Sequence, residues 1–288
     1  LRSQDAGKAP PRARVDRLTR SDGRVFGSLA VFEGMDRRER ALLEEDALAG
    51  NEALARLLPV PDALGPGYRV AGFLHPCRAG CGDLVGVFDA DERKAVFFGL
   101  DVMGHGILAS LAARSLRAAM QRLVRSGKAA AGPAAAIREL DREVRANADD
   151  WGGAFVTLAY GTLERATGSF RFARAGHAPL VHASAGGEVK IYRTAGTALG
   201  HASAALLEEG HGILEPGDRL FVPSDGALGS FGADDIGSAV EALAEFVSSR
   251  RELRLDEVVD ELLGLASAER SDSRLDDSSL LAIEREAR

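Results

Sequence analysis

Four stretches of the sequence place an aspartate at the end of an apolar run. Asp101 closes the run Ala95 to Leu100 and is followed by Val102, Met103 and the turn Gly104-His105-Gly106. Asp83, after Gly82, precedes Leu84-Val85-Gly86-Val87-Phe88; Asp225 and Gly226 follow Arg219 to Ser224; Asp276 and Asp277 precede Ser278 to Ile283. Taken alone, Asp101 is explained as well by a helix cap, a role that Asp fills readily, and the other three stretches repeat its pattern. Taken together they can converge if the strands share a sheet, because a carboxylate at a strand end beside glycine is where a rigid scaffold hands a side chain to a site.

The chemistry of such a cluster is that of hard oxygen donors. Carboxylates among glycines, with no thiolate pairs and few histidines, suit Mg2+ or Mn2+ rather than zinc. Two carboxylates about 4 Å apart repel by roughly 4 kcal/mol at an effective dielectric near 20, so several converging acids stay ionised only with cations among them. Two such ions about 3.5 to 4 Å apart can hold a bridging water and clamp a phosphoryl group, which predicts phosphoester hydrolysis without a covalent protein intermediate. The sequence has no G-x-x-x-x-G-K-[ST] loop, no H-E-x-x-H and no G-x-S-x-G. Cys81 adjoins Gly82-Asp83, but a neighbouring acid raises a thiol's pKa, so it is expected to fill a small-residue slot rather than act as a nucleophile. His105 and His177 are read either as proton donors to a leaving serine oxygen or as turn residues satisfied by hydrogen bonds. Gly104 and Gly106 are expected to serve backbone geometry where a helix begins, with N-H groups that could attract a phosphate.

The elements that must position these residues follow from periodicity. After a boundary marked by Pro59, Pro61, Gly65 and Pro66, strands are expected at Tyr68 to His75, Leu84 to Phe88 and Ala95 to Leu100. A helix from Ile107 to about Arg125 carries Leu108, Leu111, Ala112, Leu116, Ala119 and Leu123 along one face, and a second starts near Gly132-Pro133. Further strands are expected at Ala154 to Leu163, Ser169 to Ala175, Leu180 to His182, Val189 to Arg193 and Asp218 to Pro223. Helices then follow at Asp234 to Ser249 and Asp256 to Ala266, and a last strand at Leu280 to Ile283. Antiparallel strands interrupted by pairs of helices define an α+β layered domain rather than alternating βαβ units.

Composition bounds the partners. The 288 residues carry a net charge of -7 and 45% hydrophobic residues, with no basic stripe interleaved with aromatics, so no nucleic acid is expected. No run reaches the roughly 18 apolar residues of a membrane span. Without a signal peptide, and with Cys77 and Cys81 as its two cysteines, the protein is expected in the cytoplasm. Residues 36–58 place Leu43, Ala47, Gly50, Leu54 and Leu57 at alternating spacings of four and three. That spacing is read either as a coiled-coil seam that dimerises or transmits a signal, or as a helix packed on its own domain. A strand is expected from Arg24 to Phe32 after the Asp22-Gly23 turn.

In this order, the four acid segments resemble the type 2C (PPM) metal-dependent serine/threonine protein phosphatases, in particular their bacterial SpoIIE/RsbU branch. The segments that carry the likeness are Cys81-Gly82-Asp83, Leu100 to Gly106, Phe155 to Val181 with its Ala-Gly-His turn, "LEPGDRLFVPSDG" from Leu214 to Gly226, and "DDSSLLAIE" from Asp276 to Glu284. The resemblance implies a sandwich of two antiparallel β-sheets flanked by helix pairs (αββα), with an N-terminal helical extension. The likeness covers about Leu57 to Glu284, and the chain is expected to divide into 1–34, similar to the closing strands of a PAS-type sensor or a plain extension; 35–60, a linker helix; and 61–288, the phosphatase domain.

The resemblance also implies roles. Asp83 and Asp101 would ligate a pair of Mn2+ or Mg2+ ions, joined by the carbonyl of Val102, while Asp225 and Asp276 complete the outer coordination, with Asp277 beside them. The implied substrate is a phosphorylated STAS-type anti-sigma-factor antagonist. Three positions depart from the family pattern: Cys81 and Leu100 replace glycines, and Met103 replaces a small residue. A Cβ at the first is costly if that backbone needs positive φ or close approach. An active enzyme is the reading adopted, against a phosphatase-like binding module that has lost turnover.

Overall fold

A computed structural model describes residues 13–19, 25–32, 64–77, 81–104, 107–148, 153, 155–200, 206–268 and 276–287. The linker helix expected at 35–60 lies outside these residues. The strand expected from Arg24 is β2 (Val25–Phe32), which pairs antiparallel with β1 (Ala13–Thr19) as a two-stranded sheet.

The first five-stranded sheet has the order β10-β7-β6-β5-β4, comprising β4 (Leu84–Asp89), β5 (Lys94–Val102), β6 (Val156–Glu164), β7 (Ser169–Ala175) and β10 (Glu209–Ile213). The second has the order β3-β12-β11-β8-β9, comprising β3 (Tyr68–His75), β8 (Leu180–Ala183), β9 (Val189–Tyr192), β11 (Arg219–Pro223) and β12 (Ser278–Arg285). Every pairing within both sheets is antiparallel. On the outside of the first sheet lie α1 (Ile107–Arg125) and α2 (Pro133–Ala146). The short α3 (Asp225–Gly229) follows β11, and α4 (Ile236–Ser249) and α5 (Leu255–Ala268) cover the second sheet.

The period of two along the strands builds this stack, since alternate side chains leave opposite faces. On β5, Val96, Phe98, Leu100 and Val102 pack under α1 and α2, with Leu116, Met120, Ile137 and Leu140. Ala95 and Phe97 point the other way, into a layer between the sheets with Val85, Phe170, Leu220, Val222, Leu281 and Ile283. Phe221, Leu280 and Ala282 face outward again, against Val240, Leu243, Val258 and Leu262 of α4 and α5. Three apolar layers thus hold four structural layers, the αββα sandwich that the resemblance implied.

Two strands, β1 and β10, were not expected. β10 reads Glu209-Gly210-His211-Gly212-Ile213, and two glycines argue against a strand. They face the rings of Phe172 and Phe170 across the ladder: a Cβ on Gly210 would meet Phe172 at 2.3 Å, and one on Gly212 would meet Phe170 at 2.5 Å. The aromatic rings cover the glycines and supply the packing that the glycines lack.

Candidate metal centre

The acids converge because of register. β4 and β5 pair Leu84 with Leu100, so one step further along the ladder sets Asp83 across from Asp101. Both have the parity of Ala95 and Phe97, so they continue the row that faces the space between the sheets. β11 and β12 pair Pro223 with Leu280, and the ladder continues as Ser224 N–H donates to the Ser279 carbonyl at 2.9 Å. Asp225 and Asp277 therefore leave the second sheet at the same end at which Asp83 and Asp101 leave the first.

The pocket has a buried floor and an exposed rim. Asp83 is 1% exposed, while Asp225 and Asp276 are exposed and each accepts the next residue's backbone N–H at 2.9 Å. Burial, then the charges of Asp101 and Asp277, push the Asp83 carboxyl well above the usual carboxylate range. Asp101 is pushed up to about 7, first by burial and then by Asp225 and Asp276, with the bond to Asp83 opposing the shift. These acids thus share one electrostatic field. Ser224 Oγ accepts from Ala227 N at 3.3 Å as the cap of α3 and from Ser279 N at 2.9 Å. The hydroxyls of Ser224 and Ser279 hold the Asp83 pKa down in part, although Asp83 Oδ2 and Ser279 Oγ, both buried, make no hydrogen bond of normal geometry.

Asp277 does something the sequence did not reveal. Its Oδ1 accepts Cys77 N–H at 2.8 Å and its Oδ2 accepts Gly82 N–H at 2.7 Å. Both oxygens are thereby engaged on the backbone either side of the loop that leads into Asp83, so Asp277 braces that loop. Gly82 is required by space. A Cβ there would stand 2.7 Å from the Val102 carbonyl oxygen and 3.1 Å from that of Gly104, while Gly82 O accepts Val102 N at 3.3 Å. Gly226 is just as constrained, since a Cβ would fall 2.0 Å from the Asp277 carbonyl oxygen. Gly104 turns the chain at φ +97, a left-handed conformation natural to glycine. His105 and Gly106 lie outside the described residues.

The three departures from the family pattern are accommodated. Cys81 is buried, and its N–H donates to Ser110 Oγ at 2.7 Å; burial and the acids Asp83 and Asp277 drive its thiol pKa well up, so it is a protonated packing residue. Leu100 packs under α1 and α2, and Met103 is 43% exposed. His177 is buried, with Nδ1 2.8 Å from Thr157 Oγ1, the cross-strand neighbour of Asp101. Burial and then Arg174 push its pKa down to about 3, so at neutral pH it is no imidazolium able to hand a proton to a leaving group.

These residues fit a hard divalent cation: the donors are oxygens, and the floor holds a buried carboxylate oxygen that hydrogen bonds leave unpaired. The arrangement is open. Among the described residues, no three His, Cys, Asp or Glu side chains stand close enough to grip one ion as they are.

Two five-stranded antiparallel sheets with a helix pair on each outer face are the fold of PP2C-type domains. The SiaA-PP2C domain of Pseudomonas aeruginosa superposes with a TM-score of 0.69 at 20% identity, covering 87% of this chain and 99% of that one. Residues 91–286 match the stage II sporulation protein E (SpoIIE) family, and the chain belongs to that family. It is similar to phosphoserine phosphatase RsbP of Bacillus subtilis, 26% identical over 149 residues, which are 51% of this chain and 36% of the relative's own length. The RsbU and RsbW domains of Rv1364c from Mycobacterium tuberculosis align with a TM-score of 0.66 at 25% identity, covering 80% of this chain and 62% of that one.

Proposed function

We propose that the chain is a Mn2+- or Mg2+-dependent phosphatase that hydrolyses phosphoserine or phosphothreonine on a regulatory protein, a STAS-type anti-sigma-factor antagonist in a partner-switching pathway of the cytoplasm. The observation that carries this reading is the register that sets Asp83 opposite Asp101, in one field with Asp225 and Asp276. Family membership and the RsbP and RsbU likenesses support the substrate class. No described helix is long and apolar enough to cross a membrane.

Asp83, Asp101 and the Val102 carbonyl would hold two ions at the floor, with Asp225 and Asp276 closing on them from the rim. Bound there, divalent ions supply charge compensation and activate a water for attack on phosphorus. Asp277 keeps the Asp83 loop in place through two backbone N–H groups. Because burial, and then the acids around them, make Asp83 and Asp101 resist ionisation, loading the site releases protons, and metal affinity rises with pH. The β1–β2 hairpin fits the closing strands of a PAS-type sensor, and the segment 36–58 is proposed as a helix that joins two copies.

Hydrolysis of p-nitrophenyl phosphate with and without Mn2+, in the parent and in Asp101→Asn and Asp225→Asn, tests the reading. Metal-dependent turnover that drops by about a hundredfold or more in both variants is expected. Equal rates in parent and variants would refute it. A parent that binds Mn2+ but never turns over would mark a module that has lost catalysis.

A further inference from the structure

α1 carries four arginines, Arg114, Arg117, Arg122 and Arg125, and no acid, in a chain whose net charge is -7. Leu111, Arg114, Ser115, Ala118, Arg122 and Arg125 recur at spacings of three and four and are all exposed, so they form one solvent-facing stripe. Arg122 is paired with Glu143 at 2.8 Å. Arg114, Arg117 and Arg125 make no ion pair among the described residues, and half-buried Arg117 feels the uncompensated charge of Arg114 one turn away. A helix that keeps like charges adjacent and unpaired gives up stability within the fold, which needs a reason outside it.

The stripe begins at the acid pocket. Ser110 of α1 receives the N–H of Cys81, and Ala109 lies against Gly82. At 1.5 Å per residue, Arg114 stands about 10 Å and Arg125 about 27 Å along the axis from Ile107. Met103 (43% exposed), Leu111 (53%) and Phe155 (38%) add apolar surface at the pocket end, where Met103 N–H donates to the Phe155 carbonyl at 2.9 Å. A pocket walled by carboxylates repels an anionic substrate on approach, and ions at its floor are screened within about 10 Å at 0.1 M salt. A row of cations leading outward corrects that field along the path of approach.

We propose that this face of α1 is the docking rail for an acidic protein: the phosphorylated substrate, whose phosphoseryl loop enters the pocket while acidic side chains lie along Arg114 and Arg125. The inference rests on the phosphatase reading above and names the surface chemistry its substrate must carry. A protein fits better than a nucleic acid duplex, because the stripe ends in apolar side chains and the rest of the molecule is acidic.

The test uses phosphorylated β-casein as the acidic phosphoserine protein and p-nitrophenyl phosphate as the small substrate, with Mn2+, on the parent, Arg114→Glu/Arg125→Glu and Arg114→Lys/Arg125→Lys. The charge reversal is expected to lower kcat/KM on casein by about tenfold, mostly through KM, while the aryl phosphate rate stays within about twofold and the lysine pair restores the parent. The fall of kcat/KM between about 0.05 and 0.3 M salt should flatten in the reversed variant. Unchanged casein kinetics and salt slope in the reversed variant would overturn the rail and leave the phosphatase reading intact. If the parent turns over neither substrate, the phosphatase reading fails, and the anisotropy of labelled casein on parent and variant still decides the rail. Duplex DNA that binds the parent more tightly than casein would assign the stripe to nucleic acid and overturn the inference.

Discussion

The two helix pairs cover their sheets in the same way but are held at their ends by different means. α4 is capped by its own Asp235, which accepts Ser238 N–H at 2.9 Å. α5 opens with Asp256 and Glu257, and Glu257 reaches back to Arg254 N–H at 2.8 Å. These are local devices that match negative charge to helix N-termini. The first pair borrows its anchors. α2 starts after Gly132, which has no capping side chain, and Ala134 N–H is taken instead by Glu209 of β10 at 2.9 Å. Asp141 of α2 accepts Gly200 N–H at 2.8 Å, and Ser110 of α1 holds Cys81 beside the acid pocket. The second pair is a buttress specified within a few residues. The position of the first depends on distant parts of the chain and, through Ser110, is coupled to the Asp83 loop.

The comparison predicts that damage on the two sides will be felt differently. Leu243→Ala in α4 removes a buried side chain of the second outer layer and should cost about 2 to 5 kcal/mol by urea unfolding, with the Mn2+ dependence of the folded fraction unchanged. A shift in metal dependence would show that the buttress is not independent of the site.

His177 belongs to both halves, since it sits on the turn from β7 to β8. Its pKa lies near 3 in the folded protein, against 6.5 ordinarily, so the unfolded chain takes up a proton first as pH falls. Stability from this group is complete above pH 6.5 and declines by up to about 1.4 kcal/mol per unit as pH falls from there towards 3. Urea midpoints at several pH values should therefore show a shallower acid slope in His177→Gln than in the parent. Equal slopes would contradict a buried neutral histidine.

The sharpest contrast is also the smallest in energy. Glu209→Ala and Asp235→Ala each remove one helix N-cap and should each cost about 1 kcal/mol. Only Glu209→Ala is expected to raise the Mn2+ concentration for half-maximal turnover. Matching shifts in both variants, or none in either, would erase the distinction between the pairs.

What could be read in advance follows the same division. The α1 boundaries, Ile107 and Arg125, were legible because apolar spacing of three and four ends at Gly127. The acid segments were legible because strand parity and glycine neighbours are local. β10 escaped because Gly210 and Gly212 are explained only by the rings of Phe170 and Phe172 across the sheet. β1 escaped because Ala13–Thr19 mixes charge with apolar residues and, among the described residues, is partnered only through β2. The bracing role of Asp277 was hidden because its two N–H partners lie about two hundred residues away, brought near only when β3, β4 and β12 assemble. Ser224 left a usable signal, a serine immediately before Asp-Gly at a helix start.

The central claim is that acids delivered by two sheets form one site for divalent ions. Calorimetric titration of Mn2+ into the parent and into Asp83→Asn/Asp101→Asn, with circular dichroism to verify the fold, tests it most directly. The account predicts saturable binding in the parent with proton release, and none in the folded double variant. Equal binding by both proteins would contradict it.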